Sequence, residues 1–170
     1  MENQVNKRSN HKVLVVYYSR TGSTRKIAQD IAKQMDADLE EISDQKKRTG
    51  LLGFVLGGRD AMTKKETCIS GMRKNPAEYD LVILGSPIWG GNITPALRTY
   101  INQYGDSIRS TAFFFSSGGK MPDQVLEKLS VILKEKPVAV TGLSLSDIKD
   151  NNTYQIKISL FINSIRRVEM

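Results

Sequence analysis

Three short stretches of this chain are apolar almost without interruption: KVLVVYY (12–18), DLVILGS (80–86) and TAFFFSS (111–117). A strand with one face in water alternates apolar and polar side chains, so a continuous β-branched and aromatic run of this length belongs to a strand buried on both faces. Burial on both faces requires a layer above and a layer below. The intervening sequence supplies helices for them. Ile27, Ala28, Ile31, Ala32 and Met35 recur at helical spacing after the first run, and Ile93, Leu97, Tyr100, Ile101 and Tyr104 after the second. Val125, Leu126, Leu129, Ile132 and Leu133 do so after the third. ADLEEIS (37–43) and PVAVTGLSL (137–145) read as two further strands. Tyr154, Ile158, Phe161, Ile162, Ile165 and Val168 trace the inward face of a last helix, with Arg166 and Arg167 outside.

Strands alternating with helices predict a parallel sheet joined by right-handed crossovers, because parallel neighbours need a connection that returns over one face. The expected class is α/β, a doubly wound five-stranded parallel sheet within a three-layer α/β/α sandwich. In such sheets ligands lie outside the carboxyl ends of the strands, where the winding reverses. The 170 residues suit one domain, expected over 12–170, with residues 1–11 as a flexible tail. The single Cys68 excludes an internal disulfide framework. No apolar run approaches the roughly 20 residues of a membrane span, and the opening MENQVNKRSNHK lacks the apolar stretch of a signal peptide. A cytoplasmic location is the expectation.

A net charge of +7 raises the possibility of nucleic-acid binding, so its distribution matters. Residues 44–75 hold eight basic side chains against three acidic ones, a net of +5, and residues 1–12 hold three against one, a net of +2. The rest of the chain balances. The excess charge therefore belongs to a tail and one internal segment, and no nucleic-acid partner is expected.

The first apolar run ends in YYSRTGSTRK (17–26) and turns into a helix. A helix start near Ser23 or Thr24 presents unsatisfied N–H groups and the positive end of its dipole, and Gly22 lets a ligand approach the backbone. Ser19, Thr21, Ser23 and Thr24 add hydroxyl donors, with Arg20 among them. The arrangement is a phosphate cup; the competing explanation is an ordinary N-cap made by Ser23 or Thr24. A Walker lysine, a cysteine nucleophile in the turn, metal-ligand spacing of His and Cys, and the G-x-S-x-G elbow are all missing. What remains is a site that binds phosphate without cleaving it.

Two more strand exits carry the same kind of chemistry. GSPIWGGNITPAL (85–97) brings Ser86, Pro87, Ile88, Trp89, Gly90 and Gly91 together, and its Trp, the only one in the chain, is either a plate for a flat ligand or an aromatic packed on the sheet edge. FFFSSGGKMP (113–122) offers Ser117, Gly118 and Gly119, as a third binding loop or as a plain turn before a helix.

Together these loops resemble the flavodoxin family, over most of the chain from about residue 12 onward. Ser19-Arg20-Thr21-Gly22-Ser23-Thr24 matches the family's [ST]-x-T-G-x-T loop, and Trp89-Gly90 its Trp-Gly pair. The resemblance implies strand order 2-1-3-4-5 and FMN as cofactor, with its phosphate on residues 19–24. It also implies an isoalloxazine stacked on Trp89, and a neighbouring peptide that answers to the redox state of flavin N5. Ser116-Ser117-Gly118-Gly119-Lys120 lacks the second stacking aromatic of many members, which leaves one flavin face open, and the basic segment 44–75 departs from their acidic character. That segment replaces a short link and helix between the second and third strands. Its centre, GLLGFVLGGRDAM, reads as a lid, a partner-docking surface or an amphipathic helix completing the core. The expected function is an electron carrier between protein partners, which the basic segment would make acidic. An FMN-dependent reductase using NAD(P)H and a quinone-type acceptor is the alternative. A flavin-free binding module using the basic segment is a third, against which the intact phosphate loop counts.

Overall fold

The computed structural model describes residues 11–44, 67–70, 72–119, 124–133 and 135–169. The first apolar run forms β1 (Val13–Tyr17), every residue of it buried. The helix α1 (Ser23–Met35) returns over the sheet to β2 (Asp38–Glu41). Two short strands follow, β3 (Ser43–Asp44) and β4 (Ile69–Ser70), which pair antiparallel. The second apolar run forms β5 (Leu81–Trp89), which folds back on the short β6 (Asn92–Ile93). Then come α2 (Pro95–Tyr104), β7 (Thr111–Ser117), α3 (Gln124–Ile132) and β8 (Ala139–Ser144). The short α4 (Leu145–Lys149) and the long α5 (Asn151–Glu169) close the chain.

The main sheet runs β2-β1-β5-β7-β8, all parallel. With the short β3, β4 and β6 set aside, this is the predicted order 2-1-3-4-5. Side chains on successive strand residues point to opposite faces, and the core divides accordingly. Val13, Val15, Tyr17, Leu81, Ile83 and Phe114 meet α1 and α5 on one face. Leu14, Val16, Val82, Leu84, Phe113 and Phe115 meet α2 and α3 on the other. The continuous apolar runs are thus explained by two helical layers, one per face. The winding reverses between β1 and β5, so the carboxyl ends of these two strands flank the crevice such a sheet offers to ligands.

Three expectations need adjustment. Ile93 is not on the helix but in β6, opposite Ile88. Thr94 caps α2 and Pro95 opens it, and a residue before proline is driven out of helical backbone. Val168 is 61% exposed, although the inward face of α5 is buried from Tyr154 to Ile165. A helix of 19 residues spans about 28 Å against about 17 Å for a five-residue strand, so its last turn outruns the sheet. The second strand exit, read as a loop, is an extension of β5 into a hairpin.

The basic segment leaves the sheet after β2, at the same edge as the end of β1, and re-enters beside α2. Thr67 exchanges hydrogen bonds with Thr99, its N–H donating to the Thr99 hydroxyl at 3.0 Å and its carbonyl accepting from it at 3.0 Å. Its own hydroxyl donates to Asp44 at 2.7 Å. The segment's apolar centre (Leu51, Leu52, Phe54, Val55, Leu56) and Lys46, Lys47, Arg48, Arg59, Lys64 and Lys65 lie outside the described residues, as does residues 1–10 of the tail.

Candidate functional site

The register of β1, β5 and β7 brings the three strand exits side by side: Tyr17 lies opposite Gly85, and Pro87 opposite Ser116. The turn after β1 is built around Gly22, the N-cap of α1, with φ +95°. That left-handed backbone suits glycine, and a Cβ there would stand in open space, so the turn surface is accessible. No side chain caps α1. The capping explanation for Ser23 and Thr24 therefore fails, since both residues are inside the helix. Ser19 instead accepts from the Gly22 N–H at 3.2 Å, which shapes the turn. Thr21 is exposed and Ser23 half-buried, so their hydroxyls flank uncapped helix N–H groups that point outward.

The cations of the first helical turn are already committed. Arg25 donates to both carboxylate oxygens of Glu41, at 2.7 and 3.2 Å, and Tyr17 donates to the same carboxylate at 3.1 Å. Hydrogen bonding to Glu41 raises the Arg25 pKa, and burial, followed by the charge of Glu41, raises that of Tyr17. Lys26 pairs with Asp30 at 2.8 Å. These two cations beside the turn are thus held by carboxylates.

Thr24 behaves differently from the other hydroxyls. It is buried, and its Oγ1 shares a 2.7 Å hydrogen bond with Ser116 Oγ at the end of β7. This bond reaches across β5 and ties the first strand exit to the third.

At the second exit Gly90 and Gly91 have φ +53° and +70° and form the two-residue turn between Trp89 and Asn92. Two left-handed residues in a tight hairpin match the primed turn that follows strand twist, for which glycine pairs are suited. Asn92 fixes the turn by donating from its side chain to the Gly90 carbonyl at 3.1 Å. Ser86 is fully buried; its hydroxyl meets the Pro87 carbonyl at 2.8 Å and accepts from the Thr94 N–H at 3.1 Å, bracing the hairpin against the start of α2. Pro87 and Ile88 are half-buried on the strand itself. At the third exit Ser117 is half-buried and donates to the Gly119 carbonyl, while Gly118 and Gly119 are exposed.

Trp89 is 8% exposed. Tyr18 meets it edge-on, with ring centroids 5.7 Å apart and planes at 85°. The Arg20 guanidinium lies over the indole, 5.2 Å from its centroid. The sequence pointed to Arg20 and Trp89 separately; their contact comes only from the fold. Tyr18, Asn92 and Thr94 were missed as members of the site. The Gly-Gly turn and the Thr-Pro helix start were the signals that could have found the last two.

Among the described residues no group of three or more His, Cys, Asp or Glu could hold a metal ion, and no helix is long and apolar enough to cross a membrane. The site has an uncapped helix N-terminus ringed by hydroxyls, an aromatic ring one strand away and an exposed glycine loop beyond. It can hold an anion at one end and a flat group at the other.

A family profile described as Flavodoxin matches residues 12–140. Among solved structures, a flavoprotein from Lactobacillus acidophilus NCFM in complex with FMN is 23% identical, with a TM-score of 0.64 over 82% of this chain and 97% of its own. A flavodoxin from the domain Archaea is 14% identical, with a TM-score of 0.61, covering 94% of this chain and 99% of that one. An NADH:FMN oxidoreductase is 13% identical, with a TM-score of 0.53, covering 90% and 88%. No curated protein matches.

Proposed function

The chain belongs to the flavodoxin family, and from that premise we propose that it binds FMN and carries electrons between protein partners. The observation that carries this reading is the start of α1, where Gly22 leaves the helix without a side-chain cap. The uncapped amides and the hydroxyls of Ser19, Thr21 and Ser23 fit a phosphate. Trp89 and the Gly90-Gly91 turn, one strand away, fit the ring system. Thr24 and Ser86 point inward, so their part is to brace the loops. Ser117, Gly118 and Gly119 would line the remaining side. Bound FMN supplies one- and two-electron chemistry, while the chain supplies orientation and electrostatics.

Titration with FMN and with riboflavin, followed by flavin fluorescence, tests this. Charge-assisted hydrogen bonds contribute about 1.5–3 kcal/mol each, so the phosphate is expected to improve affinity at least tenfold. Equal affinities would remove the phosphate role of residues 19–24.

A reductase using NAD(P)H is a second reading, favoured by the exposed third loop, where no aromatic among the described residues covers the site. The carrier is preferred because no separate nicotinamide site is visible among the described residues. The net +5 of residues 44–75 favours acidic protein partners.

A further inference from the structure

We propose that Ser116, at the end of β7, is a positioning residue for phosphate recognition, which acts by holding Thr24 and with it the start of α1. The inference rests on the FMN-binding reading and deepens it. Thr24 lies two residues past the Gly22 N-cap, and the first bond along the helix runs from the Lys26 N–H to the Gly22 carbonyl at 2.9 Å. The N–H groups of Ser23, Thr24 and Arg25 come before it and have no carbonyl to meet within the helix. Thr24 therefore has its amide at the open end of α1 and its side chain, 2% exposed, in the core.

Ser116 is itself 4% exposed and lies between two strands, opposite Pro87 of β5 and Leu143 of β8. Its 2.7 Å bond to Thr24 thus refers the helix start to the middle of the sheet. Arg25 ties the same turn to Glu41 on β2, but through exposed side chains, where water competes. Gly22, with no side chain, contributes no anchor of its own. Without the Ser116 hydroxyl, Thr24 Oγ1 is left buried and seeks another partner, such as a carbonyl of the preceding turn, and the helix start shifts with it. Amide donors weaken steeply as their angles to an acceptor close, so a phosphate registers this shift. Riboflavin has no phosphate and does not.

Fluorescence titrations with FMN and with riboflavin, beside urea midpoints, test the role in Ser116→Ala, Thr24→Val, Thr24→Ser and the double variant Thr24→Val with Ser116→Ala. Ser116→Ala is expected to bind FMN about tenfold more weakly and riboflavin within about twofold of wild type, so its preference for FMN narrows. Its urea midpoint falls, because a buried hydroxyl has lost its partner. The double variant removes both polar groups, so its midpoint recovers toward wild type. Its preference for FMN stays as narrow as in either single variant, because the two residues act as one unit. Thr24→Ser keeps the hydroxyl and is expected to keep the preference. The proposal is overturned if Ser116→Ala keeps the wild-type preference, if it weakens both flavins alike, or if the double variant regains preference together with stability. Wild-type protein that binds FMN no better than riboflavin would instead overturn the reading on which the role of Ser116 rests.

Discussion

Gly85 shows how a single hydrogen atom in place of a side chain positions the site. It lies opposite Phe114 in the register of β5 and β7, and a Cβ built on it would fall 2.1–2.7 Å from three ring atoms of that phenylalanine. The ring is fully buried. Gly85→Ala is therefore expected to destabilise the fold by about 1–3 kcal/mol through overpacking. A lower urea midpoint, partly restored when Phe114→Leu is added, would show that the two positions are coupled. The sequence placed Gly85 near the end of the strand DLVILGS (80–86), but its tight packing could not be read there. At the same scale Gly22, and neither Ser23 nor Thr24, is the N-cap of α1, and the Thr24 hydroxyl turns inward to Ser116.

Among the elements, the ends of helices carry the most chemistry. α1 is left uncapped toward the candidate site, whereas α4 is closed by a full capping box. The Ser144 hydroxyl accepts from the Asp147 N–H at 3.1 Å, and the Asp147 carboxylate accepts from the Ser144 N–H at 2.7 Å. Lys157 on α5 donates to the same carboxylate at 2.8 Å, so the pair also fixes α4 against α5. The Lys157 contact, and after it the Ser144 N–H, lower the Asp147 pKa from 3.8 to about 2. A lowered carboxylate pKa stabilises the fold above the unfolded value and loses that contribution as pH falls through the folded one. Stability is thus expected to drop between about pH 4 and pH 2 in the wild type, with less of that drop in Asp147→Asn. Urea midpoints measured across this range check it; parallel acid limbs in both proteins would show that the box contributes nothing there. The two helix starts thus differ in that a side chain caps α4 and none caps α1.

For the whole molecule, the uneven charge bears on the choice between carrier and reductase. Residues 44–75 carry a net +5; Asp44, where the segment begins, follows β2 beside β1, and Thr67 near its end is bonded to Thr99 on α2. Clustered charge speeds encounter with an opposite partner and is screened by salt. The FMN-loaded protein is expected to exchange electrons with an acidic redox protein at a rate that falls with ionic strength, and to be left unbleached by NADPH on a timescale of seconds. Stopped-flow absorbance under anaerobic conditions measures both. Rapid bleaching by NADPH would favour the reductase, and a rate indifferent to salt would detach the basic segment from partner binding.

The sequence alone determined the layers and the edge at which the candidate site lies. Unbroken apolar runs admit only strands covered on both faces, helical periodicities between them supply the covers, and parallel strands gather their exits at one edge. The 19–24 turn and the Trp89-Gly90 pair therefore fall at the edge where sheets of this kind take ligands, whatever the packing details. Contacts between loops belonged to the tertiary structure. Thr24 and Ser116 are 92 positions apart and Arg20 and Trp89 are 69 apart, so no local pattern links them. Only the strand register decides that these side chains meet. The hairpin at Gly90-Gly91 and the loss of Ile93 from the helix were legible in turn chemistry but masked by an apolar pattern that fits either element. Burial of Trp89 under Arg20 needed both strand exits in place, since a cation–π contact exists only once two separate loops are held within about 6 Å.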